Sequence, residues 1–256
     1  MEGVSSISLP VLQKQPEKEN AAGDGSHNER MRGTDDDCQV TAVEKRHVWE
    51  SSVYDAMQKE AFYFVGHRIC IRESTDSFGA LVWPGALALC HYLENNQQQV
   101  NLMDKAVLEI GAGTGLLSVV VCLLGAWVTA TDLPDILPNL SFNLIRNTEG
   151  RSRHTPQVTT LTWGRHHPQD FPQSTRRYDY VLAADVVYPH GDLDGLLDTM
   201  CHFCPPGGDT TLLWANKVRF RSDMRFTERF QRTFHATLLA EFPQQEVRIY
   251  KATSKE

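Results

Sequence analysis

The chain has 256 residues, 41% hydrophobic and 22% charged, the profile of an ordinary folded protein, which excludes fibrous, collagenous and wholly disordered chains. At roughly 150 residues per domain, the length fits one large domain, alone or with a tail. A net charge of −7 and a pI near 5.8 give no global attraction to phosphate backbones, so nucleic-acid binding would need a local basic patch.

Residues 1–48 contain no Phe, Trp or Tyr and carry the acidic run Asp35-Asp36-Asp37. Such a segment cannot bury enough apolar surface to offset its ordering entropy. It is expected to be a disordered polar tail, with the folded domain spanning residues 49–256. Phe62, Phe64 and Val65, a Gly66-His67 turn, then Ile69 and Ile71 predict a hairpin. Val82-Trp83-Pro84-Gly85-Ala86-Leu87 opens a helix to about Glu94, because Pro suits a first helical position.

From there strands alternate with helices. Ala106–Ile110 is a short apolar strand, followed by a glycine turn and an apolar helix from about Leu116. Trp127–Thr131 is a strand ending at Asp132, and Pro134–Asn147 a helix. Val158–Trp163 and Tyr178–Ala184 are strands, Leu193–Phe203 a helix, and Thr210–Ala215 a strand. A helix near Asp223–Phe234 precedes Ala236–Phe242 and Val247–Ala252, two strands whose short Pro243-Gln244-Gln245 turn makes them antiparallel. The expected class is α/β: a doubly wound, mostly parallel sheet closed by one antiparallel hairpin, with a small N-terminal β-hairpin and helix added.

Leu108-Glu109-Ile110-Gly111-Ala112-Gly113-Thr114-Gly115-Leu116 lies between the first sheet strand and its helix. Glycines there allow a tight turn and close approach of a ligand to backbone. Asp132, at the end of the next strand, stands where a carboxylate accepts hydrogen bonds from ribose hydroxyls. A dinucleotide fingerprint would need Gly or Ala at the position of Leu116. A pyrophosphate turn also favours anions, whereas a Glu109 carboxylate suits the ammonium and sulfonium of S-adenosylmethionine. These residues favour a methyltransferase over a dehydrogenase.

The strand ending Ala183-Ala184-Asp185-Val186-Val187-Tyr188 delivers Asp185 to the same crevice, outside the carboxyl ends of the strands. A carboxylate there could orient an incoming ammonium, or else cap a helix; Tyr188 could wall an alkyl channel, or else pack. These segments, together with Val82 to Ala86, Thr131-Asp132-Leu133-Pro134 and Leu161-Thr162-Trp163-Gly164, resemble the methyltransferase-like 21 group over about Trp49 to Lys251, its muscle-associated members most of all. The resemblance implies a seven-stranded, Rossmann-like, S-adenosylmethionine-dependent protein-lysine N-methyltransferase. It implies cofactor contacts at Trp83, Gly111, Ala112, Gly113, Asp132, Trp163 and Ala184, with Asp185 and Tyr188 as the acidic-x-x-aromatic pair beside the substrate amine. It also implies a non-histone protein substrate: a heat-shock chaperone, an AAA-type ATPase or a translation factor. Val186-Val187 replace the two prolines common in enzymes methylating base amines, which argues against a nucleic-acid substrate. A small-molecule or RNA methyltransferase, or a non-catalytic module with a cofactor pocket, are the alternatives.

In-line methyl transfer needs a neutral amine about 3–3.5 Å from the methyl carbon. Presenting lysine neutral at neutral pH costs roughly 4 kcal/mol against its pKa of about 10.4. Trp83, Trp163 and Tyr188 closing round the site would lower that cost by desolvation. Asp185 pulls the other way, which assigns it to orientation and charge stabilisation rather than proton abstraction.

Other signals are weaker. The six cysteines are scattered, which suits reduced thiols, and Cys201-x-x-Cys204 has no second ligand pair, so no metal is expected. His166-His167 reads as surface loop. Lys217, Arg219, Arg221, Arg225, Arg229 and Arg232 read as a solvated basic face, or as a contact for an acidic protein, with Phe226 and Phe230 turned to the core. The start has no secretory pattern and no apolar run approaches ~20 residues. The expectation is a monomer off the membrane, in the cytoplasm with the nucleus as alternative.

Overall fold

The computed structural model describes residues 5–6, 59–164, 171, 177–188 and 192–255. Expectations for residues 1–48 other than Ser5 and Ser6, and for His166-His167, lie outside them. The sheet contains β4 (Ala106–Ile110), β5 (Trp127–Asp132), β6 (Gln157–Thr160), β7 (Tyr180–Ala184), β8 (Thr211–Lys217), β9 (Phe234–Phe242) and β10 (Val247–Ser254). Their order is β9-β10-β8-β7-β4-β5-β6. β10 runs antiparallel to both neighbours, while the pairs from β8 to β6 are parallel. The two-residue strand β1 (Ser5–Ser6), inside the segment expected to be a solvated tail, lies parallel to β9 opposite Ala240 and Glu241.

Buried strands alternate between two apolar layers. Val107, Leu182, Leu213 and Ile249 pack with α1 (Pro84–Asn95), α2 (Leu116–Leu123) and α3 (Leu137–Thr148). Leu108, Val181, Leu212 and Tyr250 pack with α4 (Leu193–Phe203) and α5 (Arg221–Thr233). Phe226 and Phe230 are buried as the helical spacing predicts. They close on Trp214 with ring centroids 5.3 and 4.7 Å away, holding the body of α5 against the middle of β8.

Element ends depart from the sequence reading where side chains intervene. α5 starts two residues early because Asp223 accepts the N–H groups of Arg219 and Phe220 at 2.7 and 2.9 Å, closing its first turn. β6 stops at Thr160 rather than Trp163. Leu161 makes one last bond to the Asp132 carbonyl, and Gly164 then turns left-handed (φ 91°) within van der Waals reach of Gly195. α3 begins at Leu137 because Leu133 to Ile136 form a turn.

The hairpin β2 (Lys59–Phe64) and β3 (His67–Arg72) turns through Val65 and Gly66, both at positive φ, the geometry that matches strand twist in two-residue loops. Its free edge meets a helix instead of a strand. The Asn147 amide accepts from Cys70 N–H and donates to its carbonyl, at 2.9 and 3.0 Å. Asn143, one turn earlier, does the same for Arg72 at 2.9 and 3.1 Å. Asn143 also donates 2.9 Å to the Thr114 carbonyl in the glycine turn. Asn143→Ala removes donor and acceptor for three backbone groups at once, and should cost about 2–3 kcal/mol. Urea unfolding with an unchanged m-value tests this, and a loss below about 0.5 kcal/mol would show that the amide carries no load.

Candidate active site

β4 is joined through α2 to β5 on one side and pairs with β7 on the other. The strand order reverses at that point, and the crevice of an open α/β sheet opens outside its carboxyl ends. Gly111 and Gly113 follow β4 with φ of 66° and 56°, a conformation that costs residues with a Cβ about 1–2 kcal/mol. A Cβ at Gly111 would stand 3.0 Å from Val186 Cγ1 and 3.5 Å from Trp163 Cζ2; one at Gly113 would stand 3.1 Å from the Gly79 carbonyl oxygen. The turn is thus a tight cradle between the β7 loop, the β6 loop and the segment before α1.

Its amides are already engaged. Ala112 N–H bonds the Thr131 carbonyl, Gly115 N–H the Ala112 carbonyl, and Gly113 N–H the Asp132 carboxylate at 2.8 Å. A pyrophosphate site needs such groups free, and with three of them engaged the turn offers an anion fewer donors. Asp132 also accepts Leu133 N–H at 2.7 Å. Burial pushes its carboxyl up, against those two backbone bonds. Each oxygen keeps lone pairs for a diol.

Tyr188 stands half-buried with its ring edge-on to Trp163, centroids 6.2 Å apart. Burial and then the Asp132 charge push its phenol up. Ala184 is the half-buried last residue of β7, next to Asp185. Asp185 has φ 53°, the left-handed region, and a side chain 1% exposed. Its carboxylate accepts N–H of Gly85 in the first turn of α1, N–H of Lys217 at 2.8 Å, and Arg219 Nη1 at 2.8 Å. Of the two readings of Asp185, the helix cap is the one these bonds describe: it caps α1 with an almost wholly buried carboxylate. Trp83 precedes that helix, its indole N–H donating to the Phe78 carbonyl at 2.9 Å, with the Arg219 guanidinium 5.2 Å over its ring.

Glu109 is placed differently. Strand alternation turns it with Val107 toward the α1 and α2 layer, where it is 2% exposed and accepts the Ser118 hydroxyl. Burial, opposed by Ser118 and aided by Asp132, pushes its carboxyl up to about 8. A carboxyl raised that far is mostly protonated at neutral pH, and through Ser118 it joins β4 to α2 beneath the turn.

Sequence reasoning did not single out Gly85 or Arg219. A Cβ at Gly85 would lie 2.7 Å from an Asp185 oxygen and 3.2 Å from the Ala215 carbonyl. A helix-weakening glycine directly after Pro84 was the available signal. Arg219 is one arginine in a basic run, and nothing local marks it as the one turned inward.

The sheet order, the single reversed strand and the glycine–acid crevice define an S-adenosylmethionine-dependent methyltransferase. The cradle fits that cofactor: glycines where a Cβ would collide, a diol-accepting carboxylate, and an aromatic wall. The "Lysine methyltransferase" family model matches residues 65–233. The chain is 46% identical over 220 residues to protein-lysine methyltransferase METTL21E of Bos taurus, covering 86% of this chain and 75% of that one. It is 35% identical over 193 residues to protein N-lysine methyltransferase METTL21A of Danio rerio, covering 75% and 85%. It is 34% identical over 223 residues to EEF1A lysine methyltransferase 3 of Xenopus tropicalis, covering 85% and 95%. Among solved structures, the T. Thermophilus 16S rRNA methyltransferase RsmC superposes with a TM-score of 0.55 at 16% identity, covering 78% of this chain and 51% of that one. The chain thus spans about half the length of that protein, and the likeness shows the fold alone. The chain belongs to the methyltransferase-like 21 group of lysine methyltransferases.

The buried Glu109 gives a pH test. Unfolded, the carboxyl ionises near 4.3; folded, it keeps its proton up to about 8. The folded state binds the extra proton between those values, so stability falls as pH rises, by at most about 1.4 kcal/mol per pH unit. Glu109→Gln should flatten that slope. Urea midpoints at pH 5.5, 6.5 and 7.5 measure it, and parallel curves for the two proteins would mean that folded Glu109 is ionised.

Proposed function

We propose that this enzyme transfers a methyl group from S-adenosylmethionine to a lysine ε-amine of a non-histone protein. The observation that supports the reading is the Gly111–Gly113 cradle, held by Asp132 and approached by Val186 and Trp163, with Tyr188 against Trp163, in a chain of the lysine methyltransferase family. The cofactor, when bound, supplies the electrophilic methyl. Gly111, Ala112 and Gly113 give it a close backbone surface, Asp132 accepts its ribose hydroxyls, and Trp83, Trp163 and Ala184 line it. Tyr188 and Trp163 exclude water from the lysine stem, which favours the neutral amine. Asp185, with lone pairs beyond its three bonds, orients the amine.

The reading extends to substrate and setting. EEF1A is the substrate that one relative's name prints, which keeps a translation factor beside a chaperone or AAA-type ATPase as target. Val186-Val187 beside Asp185 and the net negative charge support protein over nucleic acid. No helix among the described residues is long and apolar enough to cross a membrane; a monomer of the cytoplasm or nucleus remains part of the proposal.

Tritiated S-adenosylmethionine with a demethylated cell extract tests the proposal. Wild-type enzyme should deposit protease-sensitive label, and Asp185→Asn should cut it about tenfold or more with cofactor affinity nearly intact. Nuclease-sensitive label would overturn the reading in favour of RNA. In the same preparation Gly113→Ala should weaken cofactor binding at least tenfold by calorimetry, since 1–2 kcal/mol of left-handed strain adds to the collision with Gly79. An affinity matching wild type would place the cofactor elsewhere.

A further inference from the structure

Resting on that reading, we infer that Arg219 is a positioning residue that balances the charge of Asp185, so that the carboxylate can orient the substrate amine without holding it protonated.

The conflict it resolves is general. A carboxylate placed to steer a lysine ammonium favours the charged form and raises its pKa, whereas transfer requires the neutral amine. An acid acting alone would slow the reaction it organises. In this crevice Asp185 does not act alone. Arg219 Nη1 lies 2.8 Å from its Oδ1 and 3.3 Å from the Lys217 carbonyl, with the guanidinium over Trp83 and the side chain 20% exposed. Two backbone N–H groups, of Gly85 and Lys217, already hold the carboxylate. To a carboxylate that two backbone amides already hold, the guanidinium adds a full positive charge.

The surrounding groups leave that balance standing. The start of α1 aims the positive end of its dipole at Asp185 through Gly85. At the end of β8, the Lys217 ammonium points away, 3.8 Å from Glu246. On α5, the buried Asp223 carboxylate is committed to the N–H groups of Arg219 and Phe220 and to the Ser222 hydroxyl. Arg221 is exposed to water. From the β5 side the facing acid is Asp132, whose charge reaches Tyr188. Tyr188 itself is an uncharged phenol at neutral pH. Asp185 and Arg219 thus cancel as a pair, with the partial positive charge of the α1 start beside them and the Asp132 carboxylate opposing it. Arginine also suits the task because it stays charged throughout the range in which lysine titrates.

The test is the pH dependence of protein labelling by full-length enzyme, at saturating tritiated S-adenosylmethionine and with the demethylated extract as acceptor. The rising limb on the acid side reports ionisation of the bound amine. Arg219→Gln should move that limb about one unit to higher pH, giving roughly tenfold slower labelling at pH 7.5 and a much smaller deficit at pH 10. Arg219→Lys should restore most of the limb's position. Asp185→Asn leaves the guanidinium uncompensated and should move the limb of the residual activity the other way, to lower pH. That arm carries the test if Arg219→Gln does not fold. Slowing by one factor at every pH in Arg219→Gln, or an unmoved limb in Asp185→Asn, would show a purely structural role and overturn the inference alone. Wild-type enzyme that labels no protein at any pH would remove the parent reading and this inference together.

Discussion

The carboxylate of Asp185 is the tie on which the site depends. It sits at the end of β7, in a left-handed backbone conformation, and reaches the first turn of α1, the last residue of β8 and the segment leading into α5. α1 and the junction between β8 and α5, remote from each other in sequence, take their relative placement from one side chain. Almost wholly excluded from water, it would be expensive to bury unpaired. Two backbone amides and a guanidinium meet that cost, and in doing so fix Trp83 on one side and the β7 loop on the other. The left-handed turn at Asp185 aims Val186 at Gly111, so the same residue that anchors α1 also closes the glycine cradle.

The cradle is held from beneath as much as from above. Thr131 donates 2.6 Å to the Glu109 carbonyl, and Ala112 returns a bond to the Thr131 carbonyl. The uncharged Glu109 side chain pins α2 through Ser118. Asp132 closes the ring by gripping Gly113. Three polar residues therefore rigidify the turn before any ligand arrives, which is the preorganisation that limits the ordering cost of binding. Their burial removes their water, and the compensating bonds lie within the turn, its two strands and the segments that directly follow them.

Much of this was legible in the sequence, because the signals were periodic or tightly spaced. The strand–turn–helix setting of Gly111 to Gly115, the position of Asp132 and the acid ending β7 follow from a rule about where crevices form in α/β sheets. The paired final strands follow from a turn too short for any other connection. What could not be read depends on which way a polar side chain points. Lys217 to Arg232 looks like a uniformly basic face, yet Arg219 turns inward, whereas Arg229 and Arg232 pair with Asp194 and Glu228 at the surface. The charge of Glu109 is plain in the sequence, but its burial beside Ser118 follows from alternation with Val107. Asn143 and Asn147 look like the wet face of an amphipathic helix, and only the fold shows a strand edge lying against them.

That edge has a further consequence. A strand with open N–H and C=O groups is a template on which another chain can add, and proteins usually blunt such edges with charge, proline or a bulge. Here the outer rim of β3 is covered by side-chain amides that imitate a neighbouring strand residue for residue, with a spacing set by one turn of α3. A helix has taken the place of a sheet partner. The hairpin can therefore stay short and two-stranded beside the cofactor turn without becoming a seed for self-association.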